Sequence, residues 1–268
     1  MGECADVQAI HAMWREAVEQ GGIGHTAGAF AILEEVARSG RRFGAPALES
    51  LALSTRASLL RQAGRHRDAA AIDGRALLVV SPTPPSSTAA RRVTHRAAVL
   101  DAIVGLAADH LGQLHLDATR RLLARARSVV DVDDAGWPAG RRPRLRIEWV
   151  SAELAMYSDD AAAALEHAER GLHLCAIADT PRRHRVKTEL VAAAAHAAAG
   201  QSQVAARAAA KVTDDARAGG LLPLEWAALA LRHGLDPADH DVSAALLRAR
   251  RLLTGHGVPF TDGRTAGG

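Results

Sequence analysis

Trp149, Glu153 and Tyr157 recur every fourth residue, so a helix through them carries two large amphipathic rings and a carboxylate on one face. Arg146 lies one turn earlier on an adjoining face. Interfaces concentrate their binding energy on Trp, Tyr and Arg, and aromatic residues are only 3% of this chain. The group is therefore a candidate partner-binding face, to which Lys187 is added as a charged member. The competing role for Trp149 is architectural, filling the interface of a helical hairpin. A second set of candidates is basic. Arg91, Arg92 and Arg96, then Arg141, Arg142 and Arg144, then Arg182 and Arg183 recur near expected helix starts and turns. Aligned along one edge they would form an electrostatic footprint for an acidic partner, protein or nucleic acid. Scattered, they are solvated surface and helix-terminal charge.

Sequence patterns of catalysis are missing: no Walker A loop, no HExxH, no GxSxG and no CxxC pair. GGIGHTAG, Gly21 to Gly28, has the glycines of a phosphate loop but no preceding strand and no Lys-Ser/Thr ending. It fits the turn of a first helical hairpin. Among thirteen histidines, His110 and His115 are five apart and His167 and His173 six apart, spacings that do not share a helical face. Glu169 and His173, with Glu166 nearby, are better placed, but no third ligand is evident. The Asp cluster of DVDDAGWPAGRRP lacks the Gly and closing Glu of a calcium loop. Cys4 and Cys175 are too few and too far apart for a disulfide framework or a metal site, and Cys175 is expected as a small buried side chain. The expectation is a protein that is not an enzyme and holds no metal or cofactor.

Composition sets the frame. The chain has 268 residues, 48% of them hydrophobic, with a net charge of +3. The basic pI of 9.4 comes almost wholly from Arg, since Lys occurs only at Lys187 and Lys211, and Asn is absent. That profile suits a GC-rich genome, so part of the Arg excess is codon usage. No apolar run approaches the ~20 residues that cross a bilayer. The start, MGECADVQAIHAMW, carries acids where a secretory signal carries Lys or Arg. A cytoplasmic protein without a membrane partner is expected.

Helix formers dominate and period-2 strand patterns are almost absent. In HLDATRRLLARARSVV the apolar side runs Leu116, Thr119, Leu122, Leu123, Ala126, Val129 and Val130, a single stripe at helical spacing, with Asp117 set to pair with Arg121. Breaks at Gly21-Gly22, Gly40, Gly64, Ser81 through Ser87, Gly112, Asp131 to Pro143, Pro181, Gly200, Gly219-Gly220 and Gly234 through Pro237 predict about twelve helices. Short connections make neighbours antiparallel. Asp131 to Pro143 reads as a solvated loop, residues 1–255 as one domain and 256–268 as a disordered tail.

The chain also repeats itself. Leu53, Ala57 and Leu60 precede a turn at Gly64, followed by Ala69 and Ala76; Ala193 precedes Gly200, followed by Ala205 and Ala209. Weaker matches turn near Gly22, Gly112 to Leu114 and Ser158-Asp159, the last followed by Ala164, Ala168 and Gly171. This spacing resembles the tetratricopeptide repeat, whose small residues let two helices pack closely. Asp73 departs from it, standing where that repeat carries an aromatic residue, and successive turns lie farther apart than the ~34 residues of the strict repeat. Such stretched hairpins resemble the sensor arrays of large actinobacterial and LuxR-type regulators. The resemblance implies an all-α fold, a right-handed α-solenoid of about six antiparallel helical hairpins whose concave groove binds a protein or peptide segment. The function expected is thus an adaptor or scaffold. The alternative is a detached regulatory array acting through a partner, nucleic acid or a small ligand. The segment from Thr188 to Lys211 has some helix-turn-helix flavour, but Gln201 replaces the expected apolar residue and its second helix is nearly all Ala. The leucines of the last hairpin, Leu246, Leu247, Leu252 and Leu253, leave self-association open.

Overall fold

The computed structural model describes residues 2–81, 89–130, 136–176 and 179–260, with side chains at 2–5, 89–91 and 138 outside that description. The described residues are helical throughout. In chain order the helices are α1 (Gly2–Ile23), α2 (Thr26–Arg42), α3 (Pro46–Gln62), α4 (His66–Val80), α5 (Ala89–Gly112), α6 (Leu116–Val129), α7 (Arg142–Tyr157), α8 (Ala161–Ala176), α9 (Arg182–Ala198), α10 (Ser202–Ala218), α11 (Leu222–Leu235) and α12 (His240–Gly255). A single π-helical turn, Trp137–Arg141, leads into α7. Contacts gather into two compact units. One holds α1 to α6; the other takes Leu145–His256 together with Gly22–Gly24. In the first unit, α2 packs on α3, α3 on α4 and α5, and α5 on α4 and α6; in the second, α9 packs on α8, α10 and α11, and α11 on α12.

One turn recurs between helices. A residue in the left-handed region closes the first helix, and the next backbone N–H donates to a carbonyl five residues back, the Schellman arrangement that satisfies the last turn. It occurs at Gly24, Gly44, Gly64, Leu114, Asp159, Gly200 and Gly220, with bonds such as Arg65 N to Leu60 O at 3.0 Å and Gln201 N to His196 O at 2.9 Å. The expected turns near Gly64, Gly112 to Leu114, Ser158-Asp159, Gly200 and Gly219-Gly220 therefore fall where the chain reverses. Gly40 does not break its helix. It lies buried inside α2, where an added Cβ would come 3.0 Å from the Glu49 backbone N, so it serves close packing on α3. Gly21, Gly22 and Gly234 lie in the last turns of α1 and α11, which end at Ile23 and Leu235, so the expected breaks there fall where those helices stop.

The stripe of small residues is where helices touch. Ala57, Ala69 and Ala76 in the first unit, and Ala164, Ala193, Ala205 and Ala209 in the second, are each 0% exposed. On α6, Thr119, Leu123 and Ala126 of the predicted stripe are the buried members. Asp117 pairs with Arg120 at 2.7 Å rather than with Arg121. Two loop expectations change. From Trp137 the second long break is a helical turn that packs on α5 with Ala139, Gly140 and Pro143 buried, and Arg141 lies over the Trp137 ring at 5.5 Å; residues 131–135 lie outside the described residues, as do 82–88 of the first break. The described chain continues past α12 to Phe260 with Val258 buried, and Gly257 takes a positive φ where it meets Ala27. Residues 261–268 of the expected tail lie outside the description. Among the described residues no helix is long and apolar enough to cross a membrane.

Candidate functional site

The predicted aromatic face lies where α7 meets α9. Trp149 Nε1 donates to Thr188 Oγ1 at 2.9 Å, and the indole stacks on the His184 ring with centroids 5.8 Å apart. Thr188 passes its own proton to the His184 carbonyl at 2.8 Å. The remaining neighbour of that oxygen is Cys175 Sγ at 3.2 Å, so the thiol is the donor, which leaves the hydroxyl with two accepted bonds and one donated. Burial pushes the Cys175 thiol up, in keeping with a protonated sulfur. One turn along, Glu153 Oε1 meets Lys187 Nζ at 3.3 Å, each side chain about a third exposed. Tyr157, at the end of α7, is 60% exposed. Arg146 is half-buried. The structure thus joins Trp149 to α9, joins Glu153 to Lys187, and leaves Tyr157 facing solvent.

Trp149 is fastened rather than free, and the same fastening occurs in the first unit. Trp14 Nε1 on α1 donates to Thr55 Oγ1 on α3 at 3.0 Å, Thr55 donates to the Leu51 carbonyl at 2.8 Å, and Trp14 stacks on His11 at 5.5 Å. Each tie joins a helix to the next but one. The signal lay in the sequence as a Trp followed by a helical Thr after 41 residues in one case and 39 in the other.

The predicted basic residues have divided uses. Arg142 is mostly buried and binds the buried Asp101 at 2.8 Å. Arg182 donates to the Asp215 carbonyl at 2.9 Å, neutralising the exposed end of α10. Arg141 covers Trp137. Arg92 is exposed, and Arg96, Arg144 and Arg183 are half-buried. The Arg91 side chain lies outside the description. Arg182 and Arg183 belong to the second unit, the others to the first.

Sequence reasoning missed the most buried charges. At the end of α3, Arg61 donates through Nη2 to Asp73 Oδ2 on α4 at 2.6 Å and through Nε to Asp109 Oδ1 on α5 at 2.7 Å. Both carboxylates are 0% exposed and Arg61 only 15%. Gly105 makes room: an added Cβ there would sit 2.2 Å from Asp73 Oδ2. Two acids against one cation leave a buried excess charge, which a proton removes. Burial raises the Asp73 carboxyl to about 7, with Arg61 opposing and Asp109 adding to the rise. Burial also raises Asp109, against Arg61. Asp73, which departs from the repeat spacing expected from the sequence, accepts a bond from Arg61 here.

Elsewhere Glu148 accepts from His167 Nδ1 at 2.7 Å and from Arg170 Nε at 3.1 Å. Burial pushes its carboxyl up, but those two donors outweigh burial and hold it below the usual range. His110 and His115, which the helical spacing sets apart, in fact meet at 3.2 Å between Nδ1 atoms. They face each other across the α5–α6 turn, where positions five apart come together; Gln20 with His25 and His196 with Gln201 do the same. Among the described residues no three His, Cys, Asp or Glu side chains are grouped to hold a metal ion. Compared with known proteins, the chain matches no family profile and no curated sequence.

Proposed function

We propose that the protein is a binding module and not an enzyme: an adaptor or scaffold of tetratricopeptide-like hairpins, arranged as a right-handed α-solenoid, that holds a segment of a partner protein. The observation that supports this is Tyr157. It is the chain's one tyrosine, it is 60% exposed, and it stands on a helix whose preceding ring, Trp149, is locked to α9. An amphipathic ring on a rigid support loses little freedom on binding, which favours it as an anchor. The Glu153–Lys187 pair beside it gives a polar rim that a partner's charges can engage.

The capture experiment uses immobilised full chain and native lysate, with nuclease and a salt series, comparing wild type with Tyr157→Ala. A stoichiometric protein that survives nuclease and moderate salt and is lost with Tyr157→Ala supports an adaptor. A nuclease-sensitive, salt-labile catch indifferent to Tyr157 would replace it with a regulatory array acting on nucleic acid. Weighing against that alternative, Arg142 and Arg182 are already engaged within the chain.

A further inference from the structure

The first unit also holds a recess into which three helices send arginines. The recess, of about 300 Å³, opens between α2, α3 and α4, lined among others by Leu33, Ala37 and Leu53 and by three arginines, Arg41, Arg56 and Arg75. Leu33 and Ala37 are buried beneath it, and half-buried Leu53 is the apolar side chain its wall offers. The three guanidinium groups come from three different helices, so backbone geometry rather than local sequence collects them. Arg41 is held by Glu49 at 2.7 Å. Arg56 lies over the Phe30 ring at 5.5 Å, which fixes its plane, and its Nε is buried with no hydrogen-bond acceptor among the described residues. Arg75 is exposed and has no ion pair among the described residues. The one acid of the lining, Glu34, leans toward Arg38 at 4.0 Å.

A buried donor without an acceptor is unfavourable, and a guanidinium fork matches the planar oxygens of a carboxylate better than any neutral group. The space is at the small end of ligand pockets, enough for about ten to fifteen heavy atoms. We propose that this recess binds a small organic carboxylate, its oxygens taken by Arg56 and Arg75 and its apolar body laid along Leu53. Inorganic phosphate shares the anionic chemistry but has no apolar body to lie along Leu53. The site lies in a different unit from Tyr157 and stands whether or not the adaptor function holds.

The test is isothermal titration of the full chain with 3-phenylpropionate, its neutral amide and inorganic phosphate. Saturable binding of the carboxylate is expected, with Kd on the order of 0.1–1 mM for a ligand of this size. The amide should bind at least about tenfold more weakly, and Arg75→Gln and Arg56→Gln should each weaken the carboxylate by about tenfold or more. Arg75 is exposed, so its variant keeps the fold and decides the matter even where Arg56→Gln unfolds the chain. Failure of the carboxylate to saturate up to ~20 mM, equal binding of the amide, undiminished binding by Arg75→Gln, or tighter binding of phosphate than of 3-phenylpropionate would each overturn the proposal.

Discussion

Asp73→Asn tests the buried charge cluster at its weakest point. In the folded chain burial lifts the Asp73 carboxyl from an ordinary 3.8 to about 7. Between those two values the folded state keeps a proton that the unfolded state has released. Its stabilising contribution is therefore complete below pH 4, falls as pH rises toward 7, and is gone above it. At about 1.4 kcal/mol per tenfold change in proton affinity, the fall amounts to ~4 kcal/mol. Asn has the same shape, takes no proton and leaves Arg61 paired with Asp109. Urea unfolding followed by circular dichroism at pH 5, 6, 7 and 8 should show the difference, variant minus wild type, rising steadily with pH. At pH 8 the variant should be at least as stable as wild type, although it has lost a 2.6 Å ion pair. Because Asp109 shares the proton, the two acids titrate as a pair, and Asp109→Asn should flatten the same slope. Parallel pH curves, with Asp73→Asn destabilised by ~2 kcal/mol or more throughout, would mean that Asp73 is an ordinary ionised partner of Arg61 and would refute the reasoning.

Three further outcomes are expected. Removing the cation, Arg61→Met, leaves two buried acids and should cost about 3–5 kcal/mol at neutral pH, with partial recovery at pH 5 in the same urea series. Gly105→Ala places a Cβ 2.2 Å from Asp73 Oδ2 and should lower stability by ~2 kcal/mol or more, whereas Gly74→Ala, on α4 with nothing within 4 Å of the new Cβ, should raise it by about 0.5–1 kcal/mol; thermal unfolding of the pair separates clash from helix propensity. Trp14→Phe and Trp149→Phe each keep a ring but lose the indole donor to a threonine, half-buried Thr55 in one case and buried Thr188 in the other, so each should cost about 1–2 kcal/mol in denaturant titration, and a large gap between the two would mean the ties are not equivalent.

The helices and their turns were legible because they follow from local chemistry. Gly64 and Gly200 stop helices by taking a conformation that other residues resist, and the Ala stripe marks the closest approach. Gly40 misled for the opposite reason. A glycine inside a helix can serve packing on a neighbour, and only the position of Glu49 on α3 shows which role it has. The aromatic face was half legible. Spacing put Trp149, Glu153 and Tyr157 on one side of α7, but Thr188 lies 39 residues beyond Trp149, and no local pattern says that the indole is tied down. The Arg61–Asp73–Asp109 cluster was not legible at all. Its members lie 12 and 48 residues apart, and each taken alone reads as a surface charge. The clue was negative: the expected repeat spacing puts a ring at position 73, and a carboxylate can be buried there only with a partner.

That substitution bears on how an alanine-rich stack keeps its register. Ala57, Ala69 and Ala76 let helices approach closely, but a row of identical methyl groups discriminates poorly against a slip of one helical turn, because the slipped row packs almost as well. Large knobs such as Leu51, Leu60 and Leu123 supply part of that discrimination. Directional ties can add to it along the alanine seams. If α4 slid by a turn against α3, Asp73 would leave Arg61 and carry an unpaired carboxylate into the interior; if α9 slid against α7, Trp149 would lose Thr188. Each error leaves buried polar groups unsatisfied at about 1–3 kcal/mol apiece, more where a charge is involved. The correct packing gains little from these bonds beyond what apolar side chains of equal volume would give, so their effect is to raise the wrong packings. The polar ties at α3–α4–α5, α1–α3 and α7–α9 are placed where an alanine seam would otherwise be free to slip.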